Sequence, residues 1–236
     1  MTIAENLEKV RIKVAEEAKK AGRTDSPAIL AVSKYHPLDA VKEAYDAGQR
    51  DFGENYASEG CDKIDAARAA GMCDAVWYFI GPLQANKTRK VAERFDWVMS
   101  VDRERVAQRL NDQRPDKMRP IEVCLQVNIS GEEQKSGVAP EDAMALAEAV
   151  SQMPNLRLRG LMGIALDTDD MNIIESQFAE LKKLFESMKS TFPTVDTLSL
   201  GMTQDLAAAV KQGSTLVRIG TAIFGYRPKK ETAAAK

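Results

Sequence analysis

The sequence predicts an α/β protein built as a single closed (β/α)8 TIM barrel with an extra N-terminal helix. Three observations lead there. Short apolar runs alternate with helix-period segments eight times along the chain, and such alternation assembles a parallel sheet. A length of 236 residues suits one α/β barrel. No obvious second domain follows, which favours closure over the alternative of an open, doubly wound sheet. The expected organisation is a barrel over 1–228 and a charged, alanine-rich tail over 229–236.

Each element has its own signal. Segment 2–21 carries Ile3, Leu7, Val10, Val14 and Ala18 on one helical stripe and stops at Gly22. The apolar run 29–34 reads as strand one. After Pro37, Val41, Ala44 and Tyr45 share a helix face closed by Gly48. Strand two is the short 50–54, followed by a helix over 56–70 with Cys61, Ile64 and Ala67. Strand three is 77–81 and its helix 84–94; strand four is 97–101, with a helix over 103–113 ending before Pro115. Strand five covers 121–128, and the helix over 140–152 starts at Pro140, a favoured first-turn residue. Strand six is 156–164. The long helix after it places Ile174, Phe178, Leu181, Phe185 and Met188 on one stripe. Strand seven is 197–201, a short helix spans 203–211, and strand eight is 216–220.

Composition narrows the function classes. The chain is 44% hydrophobic and 29% charged with a net charge of −2, which gives no general attraction to nucleic acid or anionic lipid. No apolar stretch approaches the ~18 residues of a membrane span. The amphipathic N-terminus is not a signal peptide, so the expected location is cytoplasmic. Cys61, Cys73 and Cys124 form no CxxC pair and read as reduced thiols. With His36 the sole histidine and no cysteine pair, a zinc site of the usual ligand types is not expected. Asp167, Asp169 and Asp170 lack the glycine and terminal glutamate of a calcium loop and read as capping residues. The basic run Lys87, Arg89, Lys90, Arg94 reads as an exposed helix face.

In such barrels chemistry sits at the C-terminal ends of the strands. Those ends carry Lys34; Glu54 and Asn55; Gly81 with Gln84; Asp102; Asn128; Met162 and Gly163; Gly201, Met202 and Thr203; and Arg218, Gly220 and Thr221. Lys34 stands out because a lysine rarely ends a buried strand without a paired charge or a chemical use. Desolvation favours its neutral amine, the form that makes a Schiff base with a carbonyl. The segments 199–203 and 218–222 combine glycines and hydroxyls, and the first passes into a helix, as phosphate sites after strands seven and eight do. Arg218 adds a charged donor for a phosphate or a heterocycle. Either segment alone would equally suit a tight turn with a capping threonine. Together, opposite a strand-end lysine, they favour a phosphate-bearing aldehyde, and pyridoxal 5′-phosphate fits.

The segments AVSK at 31–34, DFGEN at 51–55, WYFIGPLQANK at 77–87, LSLGMT at 198–203 and VRIGTAIFG at 217–225 closely resemble the pyridoxal phosphate homeostasis protein family. This is the single-domain relative of the alanine racemase N-terminal barrel, and the resemblance runs from about residue 3 to Arg227. It implies a cofactor held by a Schiff base on Lys34, with Asn55 near its ring. The phosphate would lie against Ser199, Gly201, Met202 and Thr203, and against Arg218, Gly220 and Thr221. Met162, at the end of strand six, completes the cofactor-binding set. Family members handle the cofactor rather than turn over a settled reaction, and they lack the domain that supplies a catalytic tyrosine in alanine racemase. Two departures, Tyr78 for a frequent histidine and Tyr35-His36 for a threonine–lysine pair, bear on the hydrogen bonds around the mouth of the site.

The leading expectation is therefore a cytoplasmic, monomeric carrier or buffer of pyridoxal phosphate that supplies apo-enzymes, with no assured catalytic residue and no metal. The polar loop 129–139 would suit a lid, and Lys135 on it would assist release; a solvated surface loop is the alternative. The competing functions are an amino-acid racemase and a Schiff-base aldolase acting on sugar phosphates. Racemisation needs a second acid or base across from the lysine, and one sequence does not place Tyr35, His36 or Tyr56 there.

Overall fold

A computed structural model describes residues 1–132 and 136–226. Among them eight strands form a closed, all-parallel barrel in sequence order: β1 (Ala28–Val32), β2 (Asp51–Glu54), β3 (Val76–Phe79), β4 (Trp97–Val101), β5 (Ile121–Val127), β6 (Leu156–Gly163), β7 (Thr197–Ser199) and β8 (Leu216–Ile219). Closure is made by β8 on β1, with Ile29 opposite Val217 and Ala31 opposite Ile219. The runs are apolar almost throughout because a parallel strand in a barrel is covered on both faces. One set of alternate residues (Leu30, Tyr78, Met99, Cys124, Met162 and Leu216) fills the interior. The other set, including Ala31, Phe52, Trp77, Val98 and Val217, packs under the surrounding helices.

Those helices are α2 (Leu38–Asp46), α3 (Ala57–Ala69), α4 (Thr88–Ala92), α5 (Glu104–Gln113), α6 (Ala143–Ser151), α7 (Met171–Thr191), α8 (Leu206–Lys211) and α9 (Thr221–Phe224). The extra helix α1 (Ile3–Lys20) packs on α2, α8 and α9 and so lies across the barrel seam. Its start is fixed by a capping box: Thr2 Oγ1 accepts from Glu5 N, and Glu5 Oε2 accepts from Thr2 N. The stripe Leu7, Val10, Val14 and Ala18 is buried, as the spacing requires. In α7 the stripe from Ile174 to Met188 is buried as well. Asp170 caps that helix by accepting from Asn172 N at 2.9 Å.

Boundaries moved where turns compete with the ladder. β1 stops at Val32, two residues short of the expected end, because Tyr35 takes φ +66° and the chain turns. α4 begins at Thr88 rather than 84, since Lys87 N bonds Gln84 O at 2.9 Å in a turn of its own. α9 was not expected at all; four residues are too few to show a periodic stripe.

The N-terminal end of the barrel is plugged by side chains. Arg159 donates to Glu122 at 2.9 Å and Asp196 at 2.5 Å, and its guanidinium lies 4.8 Å from the Trp97 ring centre. Tyr78 stacks on Trp97 and donates to Asp51 Oδ1 at 3.0 Å. The family departure at Tyr78 therefore bears on this floor and not on the mouth, correcting the sequence expectation. Side-chain direction along β3 put the ring inside the barrel, but its hydroxyl runs down toward the start of β2.

One glycine shows how tightly the strands are fitted. Gly160 has φ +150° and faces the Thr197 backbone, which an added Cβ would strike. Gly160→Ala is expected to destabilise the fold by about 2–3 kcal/mol through backbone strain and overpacking, read as a lower urea midpoint. An unchanged midpoint would refute that packing argument.

Candidate functional site

Lys34 follows the last residues of β1 as part of a turn and is half-buried. The turn begins at Ser33, whose N–H still reaches Gly53 O on β2 at 2.9 Å. Because β1 pairs with β8, the lysine stands beside the loop after β8, not opposite it as the order of strands suggested. Gly220 marks the contact: a Cβ there would lie 3.2 Å from Val32 O.

Arg218 ties the neighbouring strand ends together. It is buried inside the barrel, and Nη1 donates to Ser199 O and Ser199 Oγ, each at 2.9 Å, while Nη2 donates to Gly163 O at 2.9 Å. Its N–H donates to Gly201 O at 3.0 Å. Burial pulls its pKa down to about 10, with Asp205 pulling the other way, so the guanidinium stays charged at neutral pH. A buried cation held by neutral partners has its positive field available to an anion. Met162 is buried on β6, in register with Ser199.

The two glycine loops flank this cation. Gly201 turns the chain at φ +85°, and Thr203 and Thr221 are exposed. Met202 is exposed but its N–H is taken by Asp205 Oδ1 at 2.6 Å, so that amide serves the turn. The first amides of α9, at Thr221 and Ala222, have no intrahelical acceptor. On the other side of Lys34, Asn55 at the end of β2 has a buried Oδ1 without a hydrogen-bond partner among the described residues. Asn55 also lines a pocket of about 390 Å³ with Tyr56, Ser58, Gln84 and Lys87.

The expected site residues thus fall on five contiguous strands, β6, β7, β8, β1 and β2. The remaining strand ends are engaged structurally. Gly81 O accepts from Ser100 Oγ at 2.6 Å, Asp102 pairs with Arg103 at 2.9 Å, and Asn128 Nδ2 donates to Glu132 O at 2.9 Å. Glu54 points away from the mouth, buried against Lys63 of α3 at 2.6 Å. Lys135 lies outside the described residues. Tyr35 and Tyr56 hydrogen-bond each other through their hydroxyls, and His36 stacks on Phe224 at 5.1 Å.

A group with a reactive aldehyde and a phosphate fits this set. The lysine supplies the amine, Arg218 and the β7 and β8 loops supply positive potential and donors, and Asn55 supplies an unsatisfied acceptor. Sequence reasoning missed the groups around the turn that carries Lys34, namely the buried Ser33 and Lys63 and the half-buried Glu59. The spacing of Glu59 and Lys63, four apart on a helix, was the one available signal.

Known proteins match this geometry. Residues 5–228 match the family model for the alanine racemase N-terminal domain. The pyridoxal phosphate homeostasis protein of Pseudomonas aeruginosa is 53% identical over 229 residues, covering 96% of each chain. That of Escherichia coli is 49% identical, over 95% of this chain and 97% of its own. The structure of PipY from Synechococcus elongatus with pyridoxal phosphate bound superimposes with a TM-score of 0.82 at 34% identity, covering 95% of this chain and all of PipY. The chain therefore belongs to the pyridoxal phosphate homeostasis protein family, built on the alanine racemase N-terminal barrel.

Proposed function

We propose that this protein binds pyridoxal 5′-phosphate through a covalent link to Lys34 and serves as a carrier that keeps the cofactor available to apo-enzymes. The observation that carries the reading is the placement of a half-buried strand-end lysine beside a buried, charged Arg218 and two glycine turns. The relatives' names and the cofactor in PipY support the choice of ligand. When bound, the cofactor supplies an aldehyde carbon that condenses reversibly with an amine, releasing one water.

The protein's part is positioning. Lys34 presents the amine from the turn after β1. Ser199, Gly201, Thr203, Gly220 and Thr221 anchor the phosphate with Arg218, and Asn55 and Met162 border the ring. Were Arg218 to face the pyridine nitrogen in place of the phosphate, that nitrogen would have only a donor beside it and would tend to remain unprotonated, leaving the ring a weaker electron sink. Proton transfer on both faces of a substrate would need an acid or base across from Lys34. Tyr35 and Tyr56 lie instead on the loops after β1 and β2, on the lysine's own side. This favours storage over racemisation.

A net charge of −2 gives no general attraction to nucleic acid or anionic lipid, and the reading is of a cytoplasmic monomer that meets its recipients transiently. Among the described residues no helix is long and apolar enough to cross a membrane. The test pairs two assays on the purified protein. Protein loaded with pyridoxal phosphate is expected to absorb in the visible and to activate an apo-enzyme, with no deuterium exchange at Cα of alanine. Exchange that depends on Lys34 would replace the carrier with a racemase. Failure to gain absorbance with added cofactor would reject both and favour an aldolase.

A further inference from the structure

The turn that carries Lys34 is gripped from outside the barrel by a buried ion cluster. Ser33 is fully buried. Its Oγ donates to Glu54 Oε1 at 2.6 Å, and its carbonyl accepts from Lys63 Nζ at 2.8 Å. Lys63, 8% exposed on α3, also donates to Glu54 Oε1 at 2.6 Å and to Glu59 Oε1 at 3.2 Å. The same Glu59 oxygen accepts from Tyr35 N at 2.5 Å. Both neighbours of Lys34 in the chain therefore end on one cluster, Ser33 through Glu54 and Lys63, and Tyr35 through Glu59.

Two features argue that this cluster does more than stabilise the fold. Tyr35 is the sole non-glycine residue with positive φ among those described, at +66°. A residue in that conformation persists only where its surroundings over-determine it, and such strain gathers at ligand sites. Moreover, a buried ion pair is weak support for stability, because apolar side chains of similar volume often serve as well. Here Glu54 Oε2 is buried with no hydrogen-bond partner, so the cluster is not arranged to minimise the cost of burial. What it does achieve is to hold the residues on either side of Lys34 by three hydrogen bonds, two to Ser33 and one to Tyr35.

We infer that Lys63, with Glu54 and Glu59, forms a positioning clamp that sets the Lys34 backbone so that its amine meets the aldehyde of a phosphate-anchored pyridoxal. The inference rests on the reading of Lys34 given above. A flexible lysine on a loose turn would lose conformational freedom on each capture, whereas a clamped turn has lost it on folding. The clamp touches the backbone of Ser33 and Tyr35 and leaves the phosphate loops alone, so it acts on the covalent link selectively.

That selectivity is what an experiment can read. Binding of pyridoxal 5′-phosphate is compared with binding of 4′-deoxypyridoxine 5′-phosphate, which keeps ring and phosphate but has no aldehyde. Lys63→Met is expected to weaken pyridoxal phosphate about tenfold and reduce the borohydride-trapped fraction, while the deoxy analogue changes less than about twofold. Glu59→Ala is expected to do the same, and Glu59→Gln, which keeps an acceptor for Tyr35 N, to restore wild-type trapping. Glu59 is partly exposed, so this pair decides the matter even where Lys63→Met fails to fold. Equal losses for both ligands in folded variants, or no loss for either, would overturn the clamp. A wild-type protein that binds the deoxy analogue but traps no pyridoxal phosphate would instead overturn the role of Lys34, and the clamp with it.

Discussion

Replacing Lys34 by alanine is expected to abolish the visible absorbance that the protein acquires with pyridoxal phosphate, together with the adduct that borohydride traps. The side chain lies in a turn and is only half-buried, so its aliphatic stem contributes little packing and the unfolding midpoint should barely move. The residual affinity would rest on contacts to phosphate and ring alone, lowering retention by on the order of a hundredfold. Lys34→Arg should not rescue it, because a guanidinium stays protonated and does not condense with an aldehyde. Peptide mapping after borohydride reduction checks the site. A trapped adduct of undiminished yield in Lys34→Ala would place the linkage on another amine.

Arg218→Met is expected to produce the second large effect, and here two terms oppose each other in stability. Burial holds the guanidinium pKa down to about 10, which corresponds to about 3 kcal/mol spent on keeping it charged inside the barrel. Against this, methionine leaves Ser199 O and Gly163 O without their donor, at about 1–3 kcal/mol for each buried acceptor. The two partly cancel, so the substitution should change the unfolding free energy by between about 1 kcal/mol of gain and about 3 kcal/mol of loss. For the phosphate both effects of the substitution run the same way, since positive charge and donors are lost together. Affinity for 4′-deoxypyridoxine 5′-phosphate should fall on the order of a hundredfold, measured by calorimetry. Arg218→Lys should recover little of it, because one ammonium does not span Ser199 and Gly163 as the planar fork does. An unchanged affinity would mean that Arg218 only braces β6 and β7 against β8.

Much of this architecture was legible in the chain. The eight apolar runs and the stripes of α1 and α7 follow from periodicity within a dozen residues, and that is local information. The strand-end positions of Lys34, Asn55, Gly201, Arg218 and Gly220 followed from the same count. The shortest helix was not legible, since the four residues of α9 are too few for a helical period to declare itself, and α4 was expected but came out shorter, at five residues.

What the sequence determined by itself was therefore the order of elements and the set of chemical groups at the strand ends. The tertiary structure decided how those groups meet. Closure of β8 on β1 made Lys34 a neighbour of the Gly220 loop. It also sent Glu54 outward to Lys63 and Tyr78 down to Asp51. The physical reason is range. Whether a residue starts or ends a strand depends on its neighbours in the chain, whereas its direction and its partner depend on register and closure between strands far apart in sequence. The clamp around Lys34 is the clearest case, because its members from Ser33 to Lys63 become neighbours only once α3 has packed on β1 and β2.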